Sequence, residues 1–311
     1  MLSACNFYMP IFEEALDAYG LPLELRYLPI IESALNPSAV SRAGASGLWQ
    51  FMIGTGKIYG LESNSLVDER RDPIKATWAA ARYLKEMYDI YGDWNLVIAA
   101  YNCGPGTINK AIRRANGETD YWKIYNYLPK ETRGYVPAFI AANYVMTYYC
   151  DHNICPMETN IPASTDTVQV NKNLHFEQIA DLCNVPLDQI KSLNPQYKKQ
   201  MIPGDSKPYT LRLPIDAIST FIDKQDTIYA HRADELFRNR KTVAVKEITP
   251  STRKTTAAVA GKGKLTYYTI KSGDTLSTIA GKYGVTIKDI QRWNGMSNTK
   301  IAAGKRLKIY K

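Results

Sequence analysis

The stretch Asp72-Pro73-Ile74-Lys75-Ala76-Thr77-Trp78-Ala79-Ala80-Ala81-Arg82-Tyr83-Leu84-Lys85-Glu86-Met87-Tyr88-Asp89-Ile90-Tyr91 sets the fold class of the first half of the chain. Aspartate is a good helix cap, and proline suits the first helical turn, where its missing N–H would have no partner anyway. Ile74, Trp78, Ala81, Leu84, Tyr88 and Tyr91 recur near every 3.6 residues, which predicts an amphipathic helix. Outward from it, Trp94 to Tyr101 reads as a shorter apolar helix stopped by Gly104-Pro105-Gly106, and Val136 to Tyr149 as a buried core helix. A mostly helical domain over residues 1–150 is long enough to bury its own core.

Past Cys155 the texture changes to short β-like runs around short helices, and a displacement of 100 residues superposes two copies of one pattern. Ile179-Ala180 falls on Ile279-Ala280, Val185 on Val285, Leu187 on Ile287, Ile190 on Ile290, Asn194 on Asn294 and Gly204 on Gly304. The second copy, residues 266–311, has the order β-α-α-β, and its string YTIKSGDTLSTIAGKYGVTIKDIQRWNG from Tyr268 resembles a LysM module. That resemblance implies binding of N-acetylglucosamine polymers in a shallow groove at Gly273, Asp274, Thr275 and Leu276 on one side and Asn294 and Ile301 on the other. Asp274 and Thr275 also suit a helix cap, which would fix the loop that forms the groove. Trp293 lies on the apolar stripe with Ile290 and reads as core. The first copy, residues 166–214, is a degenerate LysM-like module: its turn reads Asn171-Lys172-Asn173-Leu174 and lacks the glycine of the other. A helical extension is expected over 215–240, and a linker over 151–165. A basic flexible linker, rich in Thr, Ala, Lys and Gly, is expected over 241–265.

The net charge of +9 is uneven. Residues 1–150 carry fourteen Lys and Arg against fifteen Asp and Glu, and residues 151–237 eight against twelve. Residues 238–264 carry eight against one, and residues 265–311 nine against two. Basicity confined to a tether and an end module suits any polyanion, including an anionic cell wall, and the slightly acidic first domain has no basic groove motif for nucleic acid. The five cysteines form no CxxC pair and there are three histidines, so no metal site and no cofactor are expected. Cys150 and Cys155 are spaced to close a small loop in an oxidising compartment. The longest apolar uncharged run, Tyr135 to Cys150, is shorter than the roughly 20 residues of a membrane span. No basic segment followed by an apolar one precedes Pro10, so no signal peptide is expected in these residues. Leu2-Ser3-Ala4-Cys5 has the outline of a lipid-attachment box without the apolar segment such a box requires.

Three strings in the helical half stand out: Ile30-Ile31-Glu32-Ser33-Ala34-Leu35-Asn36-Pro37, Gly44-Ala45-Ser46-Gly47-Leu48-Trp49-Gln50-Phe51, and Ala99-Ala100-Tyr101-Asn102-Cys103-Gly104. Each alone is common; in this order, with Glu131-Thr132-Arg133-Gly134-Tyr135-Val136-Pro137 after them, they resemble the lytic transglycosylases of the soluble and membrane-bound D types. The resemblance covers about residues 10–150, and LysM-like modules downstream are particular to the D type. It implies a mainly α, goose-lysozyme-like catalytic domain, peptidoglycan as substrate and a cell-envelope or periplasmic location. It also implies Glu32 as the catalytic acid, and Ser33, Gln50, Tyr101, Asn102 and Tyr135 as substrate-binding groups. Trp49 stands where many relatives have methionine, and Cys103 where alanine is commoner.

Elementary chemistry bears on the same glutamate. Leu28, Pro29, Ile30 and Ile31 precede Glu32, and apolar surroundings raise a carboxyl pKa toward the value a general acid needs near neutral pH. Ordinary glycoside hydrolysis uses two carboxylates. Of the nearest candidates, Asp72 is better used as a cap, and Asp68 and Glu69 are expected to pair with Arg70 and Arg71. A single acid suffices where the substrate's own C6 hydroxyl, held beside C1, is the nucleophile. A hydrolytic muramidase and a non-catalytic wall-binding protein remain the rival readings.

Overall fold

Asp72 accepts hydrogen bonds from the backbone N–H groups of Ile74 and Lys75, both at 3.0 Å, and so starts helix α4, Pro73–Tyr91. In the computed structural model the described residues are 1–157, 161–162, 164–237, 265–271, 274–294, 296, 301 and 304–310. They belong to two units, Met1–Pro250 and Ser251–Lys311.

The first unit opens with α1 (Leu2–Ala18), α2 (Leu28–Ser33) and α3 (Ile53–Ile58), followed by α4. Then come α5 (Trp94–Cys103), α6 (Pro105–Arg114), α7 (Tyr121–Ile124) and α8 (Lys130–Thr147). Asp93 caps α5 by accepting from Leu96 N–H at 2.8 Å, and Gly104, at φ +82°, ends it where Pro105 begins α6. Helix α4 packs between α1 and α5, but its buried face differs from the stripe of large residues. Ala76, Thr77, Ala80, Ala81, Leu84 and Met87 are buried, whereas Ile74 and Trp78 are more than a third exposed. Small side chains let the neighbouring helices approach closely, and the larger ones are left at the margin, where Trp78 meets Tyr19 edge-on. The expectation that Val136 to Tyr149 is wholly buried is likewise corrected. Val136, Phe139 and Met146 face the core, while Ile140, Tyr144, Val145 and Tyr148 are exposed.

From residue 165 the same unit continues as β1 (Thr165–Val170), β2 (Asn173–His175), α9 (Phe176–Cys183), α10 (Leu187–Leu193), β3 (Met201–Pro203) and β4 (Tyr209–Pro214). Strands β1 and β4 pair antiparallel, as do β2 and β3, so this module has a second two-stranded ladder beyond the βααβ order. The turn at Asn171-Lys172 runs without positive φ and needs no glycine; the close approach is at Gly204, where a Cβ would stand 2.2 Å from the Lys172 carbonyl oxygen. Helices α11 (Ile215–Asp223), α12 (Gln225–Ala230) and α13 (Ala233–Phe237) follow. They are more than an extension: Ala217, Phe221 and Ile228 are buried in one core with Val170, Ile179, Ile190 and Leu211.

The second unit holds β5 (Leu265–Thr269), α14 (Leu276–Tyr283), α15 (Ile287–Asn294) and β6 (Arg306–Tyr310), with β5 and β6 antiparallel. Residues 241–264 of the expected tether lie outside the described residues, and Leu265 already belongs to β5.

The repeat has a structural cause. Asn194 donates through Nδ2 to the carbonyls of Ile190 (2.9 Å) and Arg212 (2.8 Å) and accepts from Arg212 N–H at 2.8 Å. Asn294 makes the same three bonds to Ile290 (2.8 Å) and Lys308 (2.9 and 2.7 Å). In each copy an asparagine clasps the second helix to the last strand. A buried polar group left without its partner costs about 1–3 kcal/mol. Asn194→Ala is therefore expected to lower the unfolding free energy of the first unit by about 2–4 kcal/mol, measured by urea denaturation.

Candidate active site

Helix α2 is short because Ala34 and Leu35 turn the chain into the left-handed region, at φ +52° and +60°. That turn leaves Glu32 near the helix end, facing α8 and α5. The Tyr135 hydroxyl of α8 donates a hydrogen bond to Glu32 Oε1. Burial pushes the Glu32 carboxyl from its ordinary 4.5 up to about 7; the Tyr135 hydrogen bond works against this and the charge of Glu131 adds to it. Burial and the nearness of Glu32 hold the Tyr101 and Tyr135 phenols well above their usual range, so both remain hydrogen-bond donors.

The loop at 44–51 lies beside this acid. Ser33 Oγ is 2.9 Å from the carbonyl oxygens of both Pro29 and Leu48, and Tyr101 donates to the Trp49 carbonyl at 2.7 Å. Gln50, at φ +47°, donates through its amide to the carbonyls of Gly47 (2.8 Å) and Ala39 (3.3 Å). Asn102 Oδ1 accepts from Thr132 Oγ1 at 2.9 Å, joining α5 to α8. Through these bonds Ser33, Gln50 and Asn102 each hold part of the acid's surroundings in place. Trp49 is fully buried, edge-on to Phe12, and donates to Thr77 Oγ1 at 2.9 Å, so it is no sugar platform. Cys103 is half-buried, and burial raises its thiol pKa, which disfavours the thiolate. The other four cysteines are also free thiols, Cys150 and Cys155 included.

The remaining acids near the loop have partners of their own. Arg70 grips Asp68 through two bonds of 2.9 and 2.8 Å. Glu69 pairs with Lys75 at 2.5 Å rather than with Arg71, whose Nε donates to Ser46 at 3.1 Å. The residues that sequence reasoning missed are Tyr59 and Tyr83. With Tyr101 they form a half-buried row whose ring centroids are 5.1 and 5.6 Å apart. No motif marked them, because the row is assembled from two helices, α4 and α5, and the turn after a third, α3. A cavity of about 630 Å3 lies elsewhere, lined by residues such as Phe7, Ile74 and Arg212. The chemistry rests on the groups that touch Glu32, not on that cavity.

In the second unit, Asp274 accepts from Tyr268 Oη and from Lys271 N–H, both at 2.8 Å, while Thr275 caps α14. Leu276 is buried and Ile301 packs against the same core. Asn294 is the clasp described above, and Gly273 lies outside the described residues. Of the expected groove residues, Leu276 and Asn294 are thus committed to holding the module together.

Residues 9–124 match the family model of the transglycosylase SLT domain, residues 164–230 that of the lytic transglycosylase MltD LysM-like domain, and residues 268–309 that of the LysM domain. Over 93% of its length the chain is 33% identical to the membrane-bound lytic murein transglycosylase D of Escherichia coli K12. The chain thus carries an SLT domain, an MltD-type LysM-like domain and a LysM domain. It spans 60% of that relative's length. It is also 33% identical to the soluble lytic murein transglycosylase of Escherichia coli K12 over 38% of this chain and 19% of that protein. The solved 70 kDa soluble lytic transglycosylase of Escherichia coli superposes on 46% of this chain and 24% of its own, with 29% identity and a TM-score of 0.40. No helix among the described residues is long and apolar enough to cross a membrane.

The raised pKa of Glu32 has a stability consequence with a definite sign. Below about 4.5 the carboxyl is neutral whether the chain is folded or not; between about 4.5 and 7 the unfolded chain ionises while the folded one keeps its proton, so stability falls across that window and levels off above it. Glu32→Gln is expected to be more stable than wild type at pH 8 by about 2–3 kcal/mol and nearly equal to it at pH 4, as read from thermal unfolding at both pH values.

Proposed function

We propose that this chain cleaves the β-1,4 bond between N-acetylmuramic acid and N-acetylglucosamine in peptidoglycan by a lytic, non-hydrolytic route. One observation carries the reading. Burial keeps the Glu32 carboxyl protonated up to about pH 7, and Tyr135 orients it, while Asp68, Glu69 and Asp72 are committed to a guanidinium, an ammonium and a helix cap. One acid is poised; among the described residues the other carboxylate whose charge acts on it, Glu131, is exposed in the first turn of α8 and helps to keep Glu32 protonated.

The steps balance with that single group. Glu32 gives its proton to the glycosidic oxygen as the bond from that oxygen to C1 of the muramyl residue breaks, and the 2-acetamido group supports the positive charge that develops at C1. The Glu32 carboxylate then takes the proton of the C6 hydroxyl as that oxygen bonds to C1. The enzyme is restored, no water is consumed, and the products are a 1,6-anhydromuramyl end and a free N-acetylglucosamine 4-hydroxyl. Holding the C6 hydroxyl near C1 gives it the effective concentration that makes an external nucleophile unnecessary. Tyr135 stabilises the carboxylate between the two proton transfers. Tyr101 and the loop at 44–51 exclude water from it. The module at 266–311 keeps the enzyme on glycan strands and so raises local substrate concentration, with the cell envelope as the place of action.

Mass spectrometry of fragments released from purified sacculi tests this. The wild-type protein is expected to yield anhydromuramyl ends, and Glu32→Gln to reduce their release by at least about 10³-fold while still sedimenting with insoluble wall. Products heavier by one water would instead identify a hydrolase, and wall binding without soluble fragments would identify a non-catalytic binder. The alkaline limb of the rate profile is expected near pH 7, where Glu32 loses its proton.

A further inference from the structure

The segment between α3 and α4 reaches away from the helical domain into the neighbouring module. Leu66 and Val67 are buried in the core formed by residues of that module, among them Phe176, Tyr197 and Tyr209. The backbone is stitched in as well: Asp68 N–H donates to the Gln196 carbonyl at 2.9 Å and Lys198 N–H to the Leu66 carbonyl at 2.8 Å. Buried Asn64 shapes the plug by accepting from Leu66 and Val67 N–H at 2.8 and 2.7 Å. At the rim, Glu62 takes Tyr209 Oη at 3.1 Å and Lys207 Nζ at 2.7 Å.

Polar contacts run from this plug to the acid. Lys198 Nζ lies 3.5 Å from Asp68 and donates to the Asn64 carbonyl at 2.8 Å. Asp68 holds the Arg70 guanidinium, whose remaining Nη1 donates to the carbonyls of Gly44 (2.8 Å) and Phe51 (2.9 Å), the two ends of the loop. Within that loop Gly47, at φ +89°, lies so close to Arg70 that a Cβ would stand 1.7 Å from its carbonyl oxygen. The loop's Leu48 and Trp49 carbonyls receive Ser33 and Tyr101, which flank Glu32. Asp68 and Arg70 are 1% and 5% exposed, so water does not dilute these contacts.

We infer that the module at 164–230 serves catalysis by clamping the loop at 44–51 through Lys198, Asp68 and Arg70, which makes Lys198 a positioning residue for Glu32. The inference rests on Glu32 being the acid. Its function is mechanical, in contrast to the sugar binding that the same module's likeness to LysM suggests.

Lys198→Met, Lys198→Arg and the exposed-lysine control Lys172→Gln are compared with wild type on soluble glycan strands, below the melting temperature of every variant. Lys198→Met is expected to lower kcat about tenfold with KM changed less than about twofold, since small misplacement of catalytic groups costs rate rather than binding. Its alkaline limb is expected to move to lower pH, because a loosened loop admits water to Glu32, whose other charged or titratable neighbours are Tyr135 and Glu131 on α8 and Tyr101 on α5. Lys198→Arg is expected to restore most of kcat, and Lys172→Gln to behave as wild type. A raised KM with unchanged kcat would show a glycan-binding module and overturn the inference, as would a lowered melting temperature with both constants and the pH limb intact. Those results would leave Glu32 as the acid untouched; only anhydro product from Glu32→Gln would remove it.

Discussion

A carboxyl group taken out of water beside a tyrosine, with no cation among the groups that shift it, is the constraint on which the rest of this protein depends. Burial alone favours the protonated form. A lysine or arginine at the same distance would return Glu32 to an ordinary, ionised carboxylate and leave it without a proton to give. The surroundings therefore have to be dense and free of cations, with hydrogen bonding from a hydroxyl. Tyr135 supplies it directly, while Tyr101 and Ser33 bond to carbonyls of the adjacent loop.

Keeping water away from one side chain is a task for the surrounding backbone. The loop at 44–51 carries a left-handed glycine at 47 and a left-handed glutamine at 50, conformations that a free loop would not hold. Arg70 holds both ends by their carbonyls, and Asp68 keeps Arg70 in place. Neutralising that buried guanidinium is itself necessary, because an unpaired charge there would be costly. The first LysM-like module completes the arrangement by enclosing Leu66 and Val67, so the catalytic half and this module are one unit rather than two beads on a string. The second LysM module has its own core and its own asparagine clasp.

How much could be read in advance varied by element, for reasons that can be named. The cap Asp72, the stop at Gly104 and the asparagines at 194 and 294 are local signals, since their partners lie within a few residues or recur at a fixed offset. The buried face of α4 was not legible from large apolar residues, because alanine carries the tight helix contacts and Trp78 sits at the edge. Ser33, Gln50 and Asn102 stand out in sequence as polar residues beside the acid. Whether such a group meets a sugar or a carbonyl depends on the neighbouring chain, and here it meets carbonyls or a threonine.

The sequence by itself determined the helical class of the first half, the repeated module and its 100-residue offset, and the apolar approach to Glu32. These follow from periodicity, spacing and immediate neighbours. Only the tertiary structure decided that Glu69 pairs with Lys75, that Trp49 is buried, and that Lys198, far along the chain, shares a charge with Asp68. Burial and pairing are sums over atoms brought together from distant positions, and no local pattern contains that sum.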